Sequence, residues 1–192
     1  MDKKNSCSWP GNNSLMIAYH DKEWGVPLHE DTKIFEFLVL DAFQAGLSWS
    51  IVLKKREGFR EAFDYFDYKK IARYKEDKIQ QLLKDEGIIR NQLKIRATVN
   101  NAQCFLEVRK EFGTFDKYIW QFTGNKPIVN KWNQLNQLPA KSTESDAMSK
   151  DLQKKGFKFV GSTICYAFMQ AAGMVNDHLV DCYRYKDLKK LK

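Results

Sequence analysis

An acidic residue stands where the chain's helical periodicity asks for an apolar one. From Asp31 to Gly46 the sequence reads DTKIFEFLVLDAFQAG, and at helical spacing one stripe collects Ile34, Phe37, Leu38, Asp41, Ala42 and Ala45. A carboxylate on an apolar face is costly unless it is paired, hydrogen-bonded or part of a site. Trp9, Tyr19, Trp24 and Trp49 flank Asp41 in sequence. A carboxylate beside an aromatic box suits a flat, cationic, hydrogen-bonding ligand. The alternative is an Asp41 at the edge of the stripe, bonded to backbone or to a lysine.

Two further groups carry possible chemistry. His178 and Cys182 are spaced for one face of a helical turn, and Cys7 and His20 lie near the other end of the chain. Two thiolates and two imidazoles suit a tetrahedral zinc that ties the chain ends together. With every position filled by protein, such a site is structural and argues against a hydrolytic metalloenzyme. The spacing of Cys7 and His20 is not that of a zinc finger, so buried cysteines with satisfied histidines are the alternative. The third group is Gly156-FKFVG, a short segment between two helical patterns. It reads as the turn of a helix–hairpin–helix unit, spanning about 144–173, with backbone N–H groups aimed at an anion such as a DNA phosphate. Lys155, Lys158, Ser162 and Thr163 would add charge and donors. The alternative is an ordinary turn whose Phe157, Phe159 and Val160 plug the core. There is no phosphate-binding glycine loop, no HExxH pair and no serine elbow, and His29 receives no role.

The elements that must position these residues read as helices throughout. Helical patterns begin at Asp31, with Asp31 as N-cap, and at Ser48, Phe59, Glu76, Asn91 and Thr114. Another runs from about Glu144 to Lys155 behind the capping pattern Thr143-x-x-Asp146, and a last one from Ser162. Gly46, Gly87, Gly113, Gly156 and Gly173 stand where helices should stop. The stretch from Thr123 to Pro139 reads as a loop, and no alternating strand pattern is evident. The expectation is a single all-α domain over 1–192.

Composition bounds the partners. The chain has 192 residues, 43% of them apolar and 29% charged, enough for a real core. A net charge of +8 favours an anionic partner, nucleic acid first and an anionic membrane surface second. Part of that charge lies in the end runs Met1–Lys4 and Lys186–Lys192, which read as solvated tails. No run is apolar enough for a transmembrane helix or signal peptide, so a cytoplasmic protein with reduced cysteines is expected.

The runs Tyr19–Pro27 (YHDKEWGVP), Gln44–Glu57 (QAGLSWSIVLKKRE), Gly87–Arg90 (GIIR) and Gly156–His178 resemble bacterial DNA-3-methyladenine glycosylase I. The resemblance spans Cys7 to Cys182. It implies a monofunctional N-glycosylase of the helix–hairpin–helix superfamily that flips 3-methyladenine out of alkylated double-stranded DNA and excises it; 3-methylguanine stays open as a second substrate. A monomer with no protein or membrane partner is expected. The resemblance implies one structural Zn2+ on Cys7, His20, His178 and Cys182. It also implies stacking walls at Tyr19, Trp24 and Trp49, with Trp9 close by. Leu47 would push into the DNA stack, and Gly156 to Gly161 would form the hairpin. The family's pocket carboxylate is typically a glutamate, and here it aligns with Asp41. Phe43 stands in place of a more polar residue and could fill the space left by the shorter arm. Asp177 lies roughly where related glycosylases carry a catalytic aspartate, but the preferred reading is that it orients His178.

Overall fold

The computed structural model describes residues 5–190, so Met1–Lys4 and the last two residues of the basic C-terminal run lie outside the described residues. The helices are α1 (Ser14–Lys22), α2 (Asp31–Gln44), α3 (Trp49–Lys54), α4 (Arg56–Ala62), α5 (Tyr68–Ile71), α6 (Glu76–Lys84), α7 (Gln92–Phe112), α8 (Phe115–Trp120), α9 (Thr143–Lys154), α10 (Ser162–Ala171) and α11 (Tyr183–Leu188). The sequence patterns assigned none to α1, α5 or α11. All three are short, and Asn13 and Asp67 cap the first two by accepting backbone N–H bonds. The expectation of an all-α chain needs one correction. Ile128–Val129 (β1) pairs in parallel with Val175–Asn176 (β2), and Trp132 bridges to Leu179. The stretch read as a loop therefore carries a strand and a 3-10 turn, Leu135–Gln137.

α2 is the axis of the fold. Every residue from Ile34 to Phe43 is buried, so the helix is enclosed on all sides, and an apolar stripe understates its burial. Phe35 meets Phe105 of α7 edge-on, and Phe105 stacks on Phe115 of α8 with centroids 4.0 Å apart. Phe43 packs on Phe59 and Phe63. It belongs to this core and lines no part of the cavity described below, so it does not fill space beside Asp41. One polar network is buried with the core: Glu36 accepts from Arg56 and Arg60, and Arg56 also binds Glu23. Burial pushes the Glu36 carboxyl up, but Arg56, Lys33 and Arg60 together outweigh it and hold the carboxyl below the usual carboxylate range.

Helix ends follow chemistry that the sequence places one residue away. Glu30, not Asp31, caps α2. Asp31 is freed to accept from the Phe115 and Asp116 N–H groups and from Arg109 Nε at 2.5 Å. It thus satisfies the start of α8, which is remote in sequence. Likewise Ser142, not Thr143, caps α9 through a reciprocal pair with Ser145. α6 ends at Lys84, so Gly87 does not stop it directly. At Gly173, φ is +67° and an added Cβ would sit 2.2 Å from the Val26 carbonyl carbon. Only glycine permits this approach, which locks the end of α10 against the segment after Trp24. Asp31→Ala should leave the α8 N–H groups and Arg109 without their partner. We expect a loss of about 2 kcal/mol in urea unfolding with an unchanged m-value.

Candidate active site

Five of the sequence-predicted residues line one cavity of about 340 Å3: Trp9, Tyr19, Trp24, Asp41 and Trp49. Met16, Gln44, Ala167 and Gln170 complete its walls, with Leu135 and Leu138 from the 3-10 turn above it. α1 delivers Tyr19, the turn after it delivers Trp24, and α2 delivers Asp41. Trp9 and Trp24 meet edge-on at 5.1 Å, and Tyr19 and Trp49 lie tilted at 5.2 Å. Planar faces and edges thus enclose a slot matched to an aromatic guest.

Asp41 is only 2% exposed, and its Oδ2 has no hydrogen-bond partner. Burial holds its carboxyl well above the usual carboxylate range. It lies in the last turn of α2, where the helix dipole also disfavours negative charge. Lys94 Nζ, near the end of the same helix, donates to the carbonyls of Phe43 and Ala45. The indole N–H groups of Trp9 and Trp49 are buried and unpartnered as well. Tyr19 has its hydroxyl pushed well above its usual value by burial first and by Asp41 second. The Asp41, Trp9 and Trp49 groups are unsatisfied by the protein in a roomy cavity, the signature of a site completed by a ligand. The alternative of an Asp41 bonded to backbone or lysine is excluded.

Behind the aromatic wall lies a buried sulfur–nitrogen cluster. The ligand atoms of Cys7, His20 and Cys182 lie within 4.8 Å of one another. The His178 ring is 4.8 Å from that of His20, and its Nε2 is buried with no partner. Burial pushes His178 down, to about 3, so its imidazole is neutral and able to ligate. His178 and Cys182 do not share a helical turn. His178 follows β2, and Cys182 is the N-cap of α11. Asp177 does not orient His178 either, because Asn176 Oδ1 contacts His178 Nδ1 at 3.2 Å. Asp177 accepts instead from Asn130, Trp132, Tyr166 and Gln170. The donor set and the orphaned Nε2 fit a tetrahedral metal. Trp24 packs 4.5 Å from the His178 ring, so the cluster backs the pocket wall.

The remaining predicted residues lie outside the cavity. Leu47 is 40% exposed, just after Gly46 at φ +80°. The connection 155–161 between α9 and α10 is pinned by α7. Asn101 bonds both the N–H and the carbonyl of Lys158, and Asn100 bonds the Gly156 carbonyl. Gly156 takes φ +91°, Lys158 is exposed, and Gly161 is the N-cap of α10 without a side-chain bond. Phe157 and Val160 are buried beneath the turn. Ser162 is partly buried and Thr163 exposed in the first turn of α10. The Ser162 hydroxyl, and then Lys141, hold the Asp146 carboxyl below its usual range, so Ser162 is already engaged.

The profile of the methyladenine glycosylases matches residues 9–185. The chain belongs to the methyladenine glycosylase family. It is 47% identical over 179 residues to DNA-3-methyladenine glycosylase 1 of Escherichia coli, covering 93% of this chain and 96% of that protein. It is 49% identical to the DNA-3-methyladenine glycosylase of Haemophilus influenzae, covering 92% and 95%. The structure of 3-methyladenine DNA glycosylase I from Staphylococcus aureus, which concerns 3-methyladenine recognition, superposes with a TM-score of 0.90 at 33% identity, covering 94% and 96%. Several residues of this methyladenine glycosylase pocket escaped the sequence reading. Met16, Ala167 and Gln170 sit on helices without a distinguishing pattern, and Leu135 and Leu138 lie in a polar stretch.

A stability consequence follows for Asp41. Its carboxyl is raised only in the folded protein, so folding is favoured below the ordinary value of 3.8. That contribution is lost as pH rises from 3.8 through the raised folded value. Asp41→Asn should therefore stabilise the protein by about 1 kcal/mol at pH 8 and by nothing near pH 3. Thermal melts at both pH values check this, and equal melting of the two proteins at pH 8 would show a neutralised carboxylate.

Proposed function

We propose that this methyladenine glycosylase excises 3-methyladenine from alkylated double-stranded DNA. The observation that carries the reading is the unpartnered, buried Asp41 carboxyl inside an aromatic slot. Methylation at N3 puts a formal positive charge on the adenine ring and weakens its glycosidic bond. A ring flipped from the duplex loses its stacking at a cost of a few kcal/mol, and the slot replaces that stacking. Electron-rich rings beside a cationic base contribute about 0.5–2 kcal/mol each. In this reading Tyr19, Trp24 and Trp49 form the stacking walls, with Trp9 at the edge. Asp41 ionises against the cation and accepts hydrogen bonds from the adenine edge. Neutral adenine offers no charge to offset a buried carboxylate, which gives the site its preference for the lesion. Water adds its oxygen to the sugar C1′ as the bond to N9 breaks, the base leaves as neutral 3-methyladenine, and one proton goes to solvent.

The DNA contacts belong to this proposal too. The turn 156–161 with Lys158, Ser162 and Thr163 is read as the hairpin of a helix–hairpin–helix unit that holds a phosphate at the start of α10. The exposed Leu47 is read as the wedge that occupies the vacated stack. A structural zinc on Cys7, His20, His178 and Cys182 would tie the chain's two ends behind Trp24, in one catalytic domain over 1–192. No described helix is long and apolar enough to cross a membrane.

Chromatography of bases released from methylated duplex DNA tests the activity. The expected product is free 3-methyladenine. Asp41→Asn should lower excision at least about hundredfold, or about 2.7 kcal/mol, with duplex affinity nearly intact. A folded wild-type protein that binds methylated duplex but releases no base would make it a lesion-binding module instead. For the metal, elemental analysis should find one zinc per chain. Chelation should lower the melting temperature by about 5 °C or more. A zinc-free protein with unchanged melting would sink that part.

A further inference from the structure

Gln170 is a wall of the cavity that the function above leaves without a role. It lies in the last turn of α10, and its backbone carbonyl accepts from the Gly25 N–H at 3.0 Å, which fixes the helix end beside Trp24. Its side-chain Nε2 donates to Asp177 Oδ2 at 2.8 Å. That contact settles the orientation of the amide, because a carboxylate oxygen accepts and only the NH2 end can donate to it. Asp177 is itself held by several donors. It is 1% exposed and accepts from Tyr166 at 2.7 Å, Asn130 at 2.7 Å and Trp132 at 2.7 Å as well. Gln170 Oε1 is left over. Among the described residues no donor reaches it, while Gln170 lines the same cavity as Asp41.

We propose that Gln170 is a specificity-determining residue: its Oε1, locked as an acceptor by Asp177, reads the exocyclic amino group of the flipped adenine lesion. This rests on the glycosylase reading. An adenine ring presents an N–H donor on its six-membered edge where a guanine ring presents a carbonyl oxygen. A fixed acceptor rewards the first and repels the second. An amide free to rotate would present NH2 to the guanine oxygen and lose the distinction. Asp177 removes that freedom and is therefore a positioning residue. This assigns a purpose to a buried carboxylate that neither touches His178 nor lines the cavity.

The test is single-turnover excision of 3-methyladenine and 3-methylguanine from methylated duplex DNA with enzyme in excess. The wild type should favour 3-methyladenine. Gln170→Leu should cut the single-turnover rate constant for 3-methyladenine at least about tenfold and leave that for 3-methylguanine unchanged or faster. Asp177→Asn, checked by melting for an intact fold, should narrow the same ratio. A folded Gln170→Leu that keeps the wild-type ratio would overturn the proposal. So would an equal loss on both lesions, the mark of a merely structural side chain. A wild type that releases neither base would instead overturn the glycosylase reading, and this inference with it.

Discussion

The structure depends on a carboxylate that nothing in the protein neutralises. Asp41 sits in the last turn of an enclosed helix, faces a cavity, and has no cation beside it. A buried carboxylate of this kind is normally silenced by an arginine, as Glu36, five residues earlier on the same helix, is by Arg56 and Arg60 of α4. The contrast within α2 is informative. The carboxylate toward the arginines is satisfied by the fold, and the one toward the tryptophans has no partner in it. Keeping Asp41 unpaired costs stability, and a site whose ligand carries positive charge recovers that cost only when the right ligand is bound.

The rest of the molecule keeps the walls of the cavity in place. The segments that carry Trp9, Tyr19 and Trp24 come from the N-terminal end, while Ala167 and Gln170 come from α10. They meet because Gly173 allows the α10 terminus to touch Val26, and because Cys7 and His20 converge on Cys182. Asp177 joins the roof to the wall: Asn130 and Trp132 belong to the strand-bearing segment below Leu135 and Leu138, and Tyr166 and Gln170 belong to α10. α7 performs the same service on another side. Its Lys94 holds the carbonyls at the end of α2, just before Leu47, and its Asn100 and Asn101 hold the 155–161 turn. The end of α2 beside the pocket and the exposed leucine, and the turn, thus share α7 as a support.

Much of the site was legible in the sequence, because its two strongest signals are violations of local pattern. An acid in an apolar stripe and paired Cys/His windows at opposite ends of the chain stand out without any knowledge of contacts. The aromatic box needed only proximity in sequence to Asp41. What stayed hidden depends on contacts between distant segments. Gln170 looks like any polar residue on α10 until Asp177 fixes its amide. Asp177 sits beside a proposed metal ligand, and that adjacency suggested a partner, His178, that it does not bind. The caps at Glu30 and Ser142 were each displaced by one residue because neighbouring acceptors compete, and tertiary contacts with Arg109 and α8 claim Asp31. The two-residue strands are too short to show an alternating pattern.

The central claim is that burial holds the Asp41 carboxyl above its usual range in the free protein and that a cationic purine lowers it again on binding. Carbon-13 NMR of labelled aspartate would follow its titration directly, with and without a permanently cationic ligand such as 3,9-dimethyladeninium. The account predicts a midpoint well above the usual carboxylate range in the free protein and a fall in that midpoint when the cation binds. A midpoint in the ordinary range that the ligand does not move would contradict it.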